Sequence, residues 1–155
     1  MTKLTYLSWS SFGKASYSLA KKIKASRIKF DLIIGITRGG VPLAMVIGDS
    51  LNVGIDTITV KSYTGIKKKT KPRILSELNE SIRGKRILLV DDLVEYGDTM
   101  EIVIKYLNIQ KPAEIKTAVL YKKPWSKIEP DFYDKKVDTW IVFPWEIGET
   151  KRLKK

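Results

Sequence analysis

Apolar residues recur at helical spacing through Phe12, Ala15, Leu19, Ala20 and Ile23, and the hydroxyls of Ser8 to Ser11 can cap the start of such a helix. Asp31 to Ile36 is instead a short, nearly continuous apolar run, the pattern of a strand covered on both faces. It ends in Thr37-Arg38-Gly39-Gly40. Val41 to Leu51 then reads as a helix, with Pro42 in the first turn where proline is tolerated. Ile55 to Val60 is rich in β-branched residues and predicts a strand. Further along, Ile87 to Val90 predicts a buried strand, Thr99 to Leu107 a helix, Ala113 to Tyr121 a strand, and Thr139 to Phe143 a last short one. The polar stretch from Thr64 to about Arg73 has no hydrophobic period, so residues 64–80 are expected to form a flexible loop. Strands that alternate with helices predict an α/β fold, with an open, mostly parallel sheet flanked by helices. No repeat, low-complexity tract or composition break divides the chain, which predicts a single domain over residues 1–155.

Composition narrows the chemistry. The chain has neither cysteine nor histidine, which excludes disulfides, thiol nucleophiles, histidine-based triads and Cys/His zinc sites. Acid–base work falls to Asp, Glu, Lys or Tyr, and a metal would need oxygen ligands, which favours Mg²⁺ or Mn²⁺. The net charge of +12 attracts anions, whether nucleic acid, acidic lipid or a polyphosphate, but the lysines are scattered through the whole chain and read mainly as a solvated coat. No apolar run approaches the ~20 residues needed to cross a bilayer. Met1 to Ser11 lacks the basic-then-apolar pattern of a signal peptide, so a cytoplasmic location is expected.

The densest chemistry lies in Asp91-Asp92-Leu93-Val94-Glu95-Tyr96-Gly97-Asp98-Thr99, directly after an apolar strand. Ligands of open α/β sheets bind at that end of the strands. A turn leading into a helix N-terminus offers free backbone N–H groups, Gly97 lets a phosphate approach closely, and Thr99 adds a hydroxyl. Adjacent carboxylates would repel a phosphate, so they suit sugar hydroxyls and a Mg²⁺ ion. An acid pair at a strand end also opens response-regulator receivers, and Lys123-Pro124 fits one. A receiver, however, carries its acid pair near the domain start, whereas this pair lies past mid-chain. No Gly-x-x-x-x-Gly-Lys-Ser/Thr occurs, which removes a P-loop NTPase. Arg38 with Gly39 and Gly40 makes a second anion nest of guanidinium and backbone donors.

These residues resemble the signature of type I phosphoribosyltransferases, which use phosphoribosyl pyrophosphate (PRPP). The resemblance implies that Asp91 and Asp92 face the ribose hydroxyls and Mg²⁺, with Asp92 as metal ligand, and that Glu95 to Thr99 wrap the 5′-phosphate. Leu93 and Val94 lie within the same PRPP-binding motif. Two positions depart from the usual 6-oxopurine pattern: Glu95 stands in place of Asp, and Tyr96 in place of Thr or Ser. Arg38 and Gly39 match the pyrophosphate loop, where the resemblance implies a cis peptide at Thr37–Arg38. Ser62-Tyr63 matches the pair that starts a mobile hood. Lys69 is the candidate pyrophosphate contact from that hood, with Lys67, Lys68 and Lys71 close alternatives.

The C-terminal third, Tyr121-Lys122-Lys123-Pro124 and then Val137 to Gly148, is similar to xanthine-guanine phosphoribosyltransferases. The similarity spans Asp31 to Gly148 and makes residues 122–150 a small base-recognition hood. It implies that Lys123 donates to the purine 6-oxo group, Trp140 stacks on the base, the Ile141 carbonyl reads the exocyclic position, and Glu95 takes a proton from the imidazole edge. Trp145 is assigned a packing role. The expected activity is transfer of 5-phosphoribosyl from PRPP to guanine, xanthine or hypoxanthine with Mg²⁺, by a homo-oligomer, dimer or tetramer, as purine salvage. Adenine is disfavoured because Lys123 is a donor. A regulator of the same fold that binds PRPP or a nucleotide together with nucleic acid is the alternative, raised by the net charge and Tyr96. It has no use for Lys123 and Trp140 together, so neither nucleic acid nor a membrane is an expected partner.

Overall fold

A computed structural model describes residues 3–61, 64–65, 68–69 and 71–154, with backbone only at 64–65 and 68–69. The elements in chain order begin with β1 (Leu4–Tyr6), α1 (Trp9–Ala25), β2 (Leu32–Thr37), α2 (Gly40–Leu51) and β3 (Ile55–Lys61). Three short strands follow: β4 (Thr64–Gly65), β5 (Lys68–Lys69) and β6 (Arg73–Ile74). The second half holds β7 (Arg86–Val94), α3 (Asp98–Ile109), β8 (Glu114–Lys122), β9 (Phe132–Lys136) and β10 (Trp140–Val142). A 3₁₀ turn over Pro144–Glu146 leads into α4 (Ile147–Leu153).

The main sheet has six strands in the order β6-β3-β2-β7-β8-β9, all parallel except β6, which runs antiparallel to β3. Alternation along the central strands feeds both faces. Ile33, Leu88 and Val90 pack with Phe12, Leu19, Leu43 and Ile47 of α1 and α2. Ile34, Ile87 and Leu89 pack with Met100, Val103 and Leu107 of α3 on the other side. Gly35 has no side chain because α2 crosses there: a Cβ would stand 3.0 Å from the Ala44 methyl. The result is a three-layer α/β fold, as the alternation of elements implied.

α2 leaves β2 toward one face and α3 leaves β7 toward the other, so the sheet has a topological switch point between these neighbouring strands. The ladders show how it opens. β2 pairs with β7 only as far as Gly35↔Val90, whereas β7 stays paired with β8 as far as Val94↔Lys122. The strand therefore runs four residues beyond Val90, the end expected from its apolar run, and carries the acid pair along the open edge.

Three regions differ from the sequence expectation. β1, which no apolar pattern predicts, pairs in parallel with β10 and ties the N-terminus to the C-terminal third. β9, whose sequence Phe-Tyr-Asp-Lys-Lys gives no apolar alternation, is the outermost strand and ends in lysines, as edge strands often do. In the stretch read as one loop over 64–80, the part from Arg73 returns to β3. Leu75 N–H donates to the Thr59 carbonyl at 2.8 Å, and the buried Asp56 accepts from the Asn79 backbone and side-chain amides, each at 2.7 Å. Ser62, Tyr63 and Lys67, and the side chains of Lys68 and Lys69, lie outside the described residues.

Candidate active site

The two lips of the crevice touch. The Thr37–Arg38 peptide is cis, and the loop it belongs to lies against the acid pair. A Cβ on Gly39 would overlap the Asp92 carboxylate, and one on Gly40 would stand 2.5 Å from the Val90 carbonyl oxygen, so only glycines let the loop approach so closely. The Asp91 carboxylate accepts from the Asp92 N–H at 2.8 Å. Burial, then the charge of Asp92, push Asp91 well above the usual carboxylate range. Burial raises Asp92 too, against hydrogen bonds that favour its charge. Such a pair gains from any cation or hydroxyl donor that replaces the missing water.

Beyond the acids the chain turns through Gly97, whose φ of 98° is the left-handed conformation that favours glycine, and enters α3 at Asp98. The first turn of α3 points its backbone N–H groups toward this turn, which suits an anion. Val94 is 4% exposed and its side chain belongs to the core, so only its main chain faces the site. Its carbonyl accepts from the Lys123 N–H at 3.0 Å. The Asp98 carboxylate is held by the Lys127 ammonium at 2.7 Å. Thr99 is partly exposed in the same first turn.

A cavity of about 410 Å³ continues from Asp92 toward the C-terminal third and is lined by Asp92, Leu93, Glu95, Tyr96, Lys123, Trp140, Ile141, Phe143 and Glu146. It gathers the candidate base-binding residues onto one wall set. Trp140 is 56% exposed and is therefore not a core residue. Ile141 is buried beside it and Tyr96 stands half-exposed at the rim. Lys123 is 3% exposed; its ammonium donates to the Thr139 carbonyl and lies 4.0 Å from the Glu95 carboxylate. Trp145 packs as a structural residue, stacked on Phe143 at 4.9 Å and edge-on to Phe12 at 5.1 Å.

Several side chains in this region were not singled out by the sequence. Glu146 accepts from the Phe143 N–H at 3.1 Å, and burial, reinforced by Asp92 and Glu149, pushes its carboxyl up. Glu149 of α4 reaches the exposed Arg38 guanidinium at 3.5 Å. Trp125 donates its indole N–H to Glu95 at 3.2 Å, and Lys127 bridges Asp98 and Glu101. For Trp125 and Lys127 the only sequence signal is the run Pro-Trp-Ser-Lys after Lys123, which has no hydrophobic period.

An open sheet with its switch point at β2 and β7, a glycine loop on one lip and an acid pair leading into a helix on the other, matches the phosphoribosyl transferase domain. The chain belongs to that family, whose model covers residues 4–151 and thus includes β1 as well as the hood. It is similar to xanthine-guanine phosphoribosyltransferases. That of Desulfotalea psychrophila is 37% identical over 148 residues, covering 93% of this chain and 88% of the relative. That of Idiomarina loihiensis is 32% identical over 146 residues, covering 92% and 86%. Among solved structures, a purine phosphoribosyltransferase from Pyrococcus horikoshii matches with a TM-score of 0.83 at 36% identity, over 92% of this chain and 94% of that one.

Proposed function

We propose that this chain is a purine phosphoribosyltransferase that moves 5-phosphoribosyl from PRPP to a 6-oxopurine (guanine, xanthine or hypoxanthine) and releases pyrophosphate and the nucleotide, a salvage reaction of the cytoplasm. The observation that carries the reading is the single cavity that joins Asp92, the second acid of the β7 pair, to Lys123, Glu95 and Trp140. PRPP lies across the switch point in this reading. Its 5′-phosphate sits at Glu95 to Thr99 and the start of α3, its ribose hydroxyls at Asp91 and Asp92, and its pyrophosphate at Arg38 and Gly39. Lys69 contacts the pyrophosphate from the 64–80 loop, which closes over the substrate. Residues 122–150 receive the base within one domain spanning 1–155. Trp140 offers a stacking face worth about 1–3 kcal/mol. Lys123 donates to the 6-oxo group and the Ile141 carbonyl meets the exocyclic position.

The reaction asks for charge control and one proton transfer. An imidazole nitrogen of the base bonds to the anomeric carbon while the bond from that carbon to pyrophosphate breaks, and the pyrophosphate leaves with the electron pair. Arg38 and the backbone of its loop stabilise the negative charge that develops there. Glu95 accepts the proton released by the base. Mg²⁺ fits the residues present: the ion is usually held by one or two carboxylates plus substrate oxygens, and Asp92 beside Asp91 supplies that. When bound, Mg²⁺ supplies positive charge to the leaving pyrophosphate. Exposed Trp9, Tyr17 and Met45 on α1 and α2 give the expected homo-oligomer an apolar surface to use.

The test is product identification after incubation with PRPP, Mg²⁺ and each of guanine, xanthine, hypoxanthine and adenine. The expected result is a nucleoside 5′-monophosphate from at least one 6-oxopurine and none from adenine. Nucleotide from adenine alone would overturn the role given to Lys123.

A further inference from the structure

β8 and β9 are parallel neighbours, and the chain returns from one to the other over residues 123–131 with no helix. Such returns usually take a dozen or more residues, most often including a helix. This one is a short strap laid across the start of α3. Lys127 N–H donates to the Tyr96 carbonyl at 3.1 Å, and its ammonium contacts Asp98 at 2.7 Å and Glu101 at 2.6 Å. Ile128 fills the space beside Gly97, where a Cβ would stand 2.6 Å from its Cγ1. Ser126 N–H closes the corner on the Lys123 carbonyl at 3.2 Å. Trp125 stands on that corner.

The indole of Trp125 meets both groups that the proposed reaction uses at the base. Its Nε1–H donates to Glu95 Oε1 at 3.2 Å, and its ring lies 5.5 Å from the Lys123 ammonium. Lys123 in turn is 4.0 Å from Glu95 Oε2. One carboxylate oxygen is thus held by the indole and the other faces the ammonium. A glutamate has three side-chain torsions, and fixing such a chain costs rotamer entropy. A carboxylate that must meet one ring nitrogen therefore benefits from a donor held on a rigid support, and the Lys127 and Ile128 anchors make the strap one.

We propose that Trp125 is a positioning residue: its indole N–H holds the Glu95 carboxylate in place for proton transfer, and the 124–128 strap holds Trp125. The inference rests on the reading of Glu95 as the acceptor of the base's proton. The test compares Trp125→Phe, which keeps a ring over Lys123 but lacks the N–H, in the wild-type and Glu95→Ala backgrounds. The expected result in the wild-type background is a roughly tenfold fall in kcat with KM for PRPP unchanged, the size of one hydrogen bond to a charged group. In the Glu95→Ala background the same change should alter kcat by less than about twofold. Equal losses in both backgrounds, or a rise in KM for PRPP at unchanged kcat, would overturn it. The ¹⁵N–¹H resonance of the Trp125 indole, identified by its loss in Trp125→Phe, should move upfield in Glu95→Ala. An indole resonance indifferent to Glu95→Ala would also overturn it. If the wild-type protein turns over no base, the transferase reading fails separately, and the indole resonance still decides whether Trp125 holds Glu95.

Discussion

Asp92 and Gly39 depend on each other: the carboxylate occupies the space into which a Cβ on residue 39 would project. Gly39→Ala therefore forces the loop over 37–40 or the acid to move. It should cost about 1–3 kcal/mol of stability, the usual range for overpacking, and weaken PRPP binding in calorimetry at least about tenfold. Lys123 is the opposite case, a buried cation whose neighbours are a carbonyl and a carboxylate. Lys123→Ala should raise KM for a 6-oxopurine by roughly ten- to hundredfold and leave PRPP binding intact. Glu95→Gln should lower kcat by roughly a hundredfold or more, also with PRPP binding retained, as measured by steady-state kinetics beside calorimetry. If neither change alters the rate, these residues do not meet the base. The residues that can be read from sequence are those whose type and spacing are both constrained: Arg38, Gly39, the acid pair and Gly97. Trp125 and Lys127 could not be read in this way, because a partner across the fold defines each of them. Trp140 could be proposed from sequence, but its exposure of 56%, which separates a stacking face from a core tryptophan, exists only in three dimensions.

Strands buried on both faces were legible because continuous apolar runs have few other uses; β2, β3, β7 and β8 lie where their patterns place them, within a few residues at the ends. β10 lies within the short strand expected over Thr139 to Phe143, whereas β1 was not legible: it is three residues long and pairs across the whole chain, as with Leu4↔Trp140. No local periodicity carries such a partner. The extra length of β7 has the same origin, since its last pairs with β8 and not its apolar run hold it extended. The entry to the central pair is fixed electrostatically. Asp31, just before β2, accepts from Arg86, the first residue of β7, through Nε at 3.1 Å, Nη2 at 3.0 Å and the backbone N–H at 2.8 Å. The hydrogen bonds from the Arg86 side chain, then its backbone, lower Asp31 from about 3.8 to about 2. A lowered carboxylate favours the folded state above its unfolded value and loses that contribution as pH falls through its folded one. Asp31→Asn should therefore destabilise the protein above pH 3.8, and the difference from wild type should shrink as pH falls toward 2. Urea titrations at several pH values read this directly. A difference that stays constant down to pH 2 would mean that the ion pair does not favour the folded state.

The site as a whole follows from topology before any side chain is considered. Helices that leave β2 and β7 toward opposite faces open the sheet at their C-terminal ends. The sequence then lines that opening with glycines on one side, carboxylates on the other, and the hood's lysine and tryptophan beyond. The net charge of +12 favours the arrival of a polyphosphate but does not select one. In the proposed reading, selection lies in the cavity that joins Asp92 to Lys123 and Trp140. The central claim is thus a coupled one: pyrophosphate leaves PRPP because a base bonds to the same carbon. The direct measurement is continuous detection of pyrophosphate after mixing the protein with PRPP and Mg²⁺, with and without a 6-oxopurine. Release that requires the base and matches the nucleotide formed one for one is the predicted result; no base-dependent release with guanine, xanthine or hypoxanthine, while PRPP still binds in calorimetry, would contradict it.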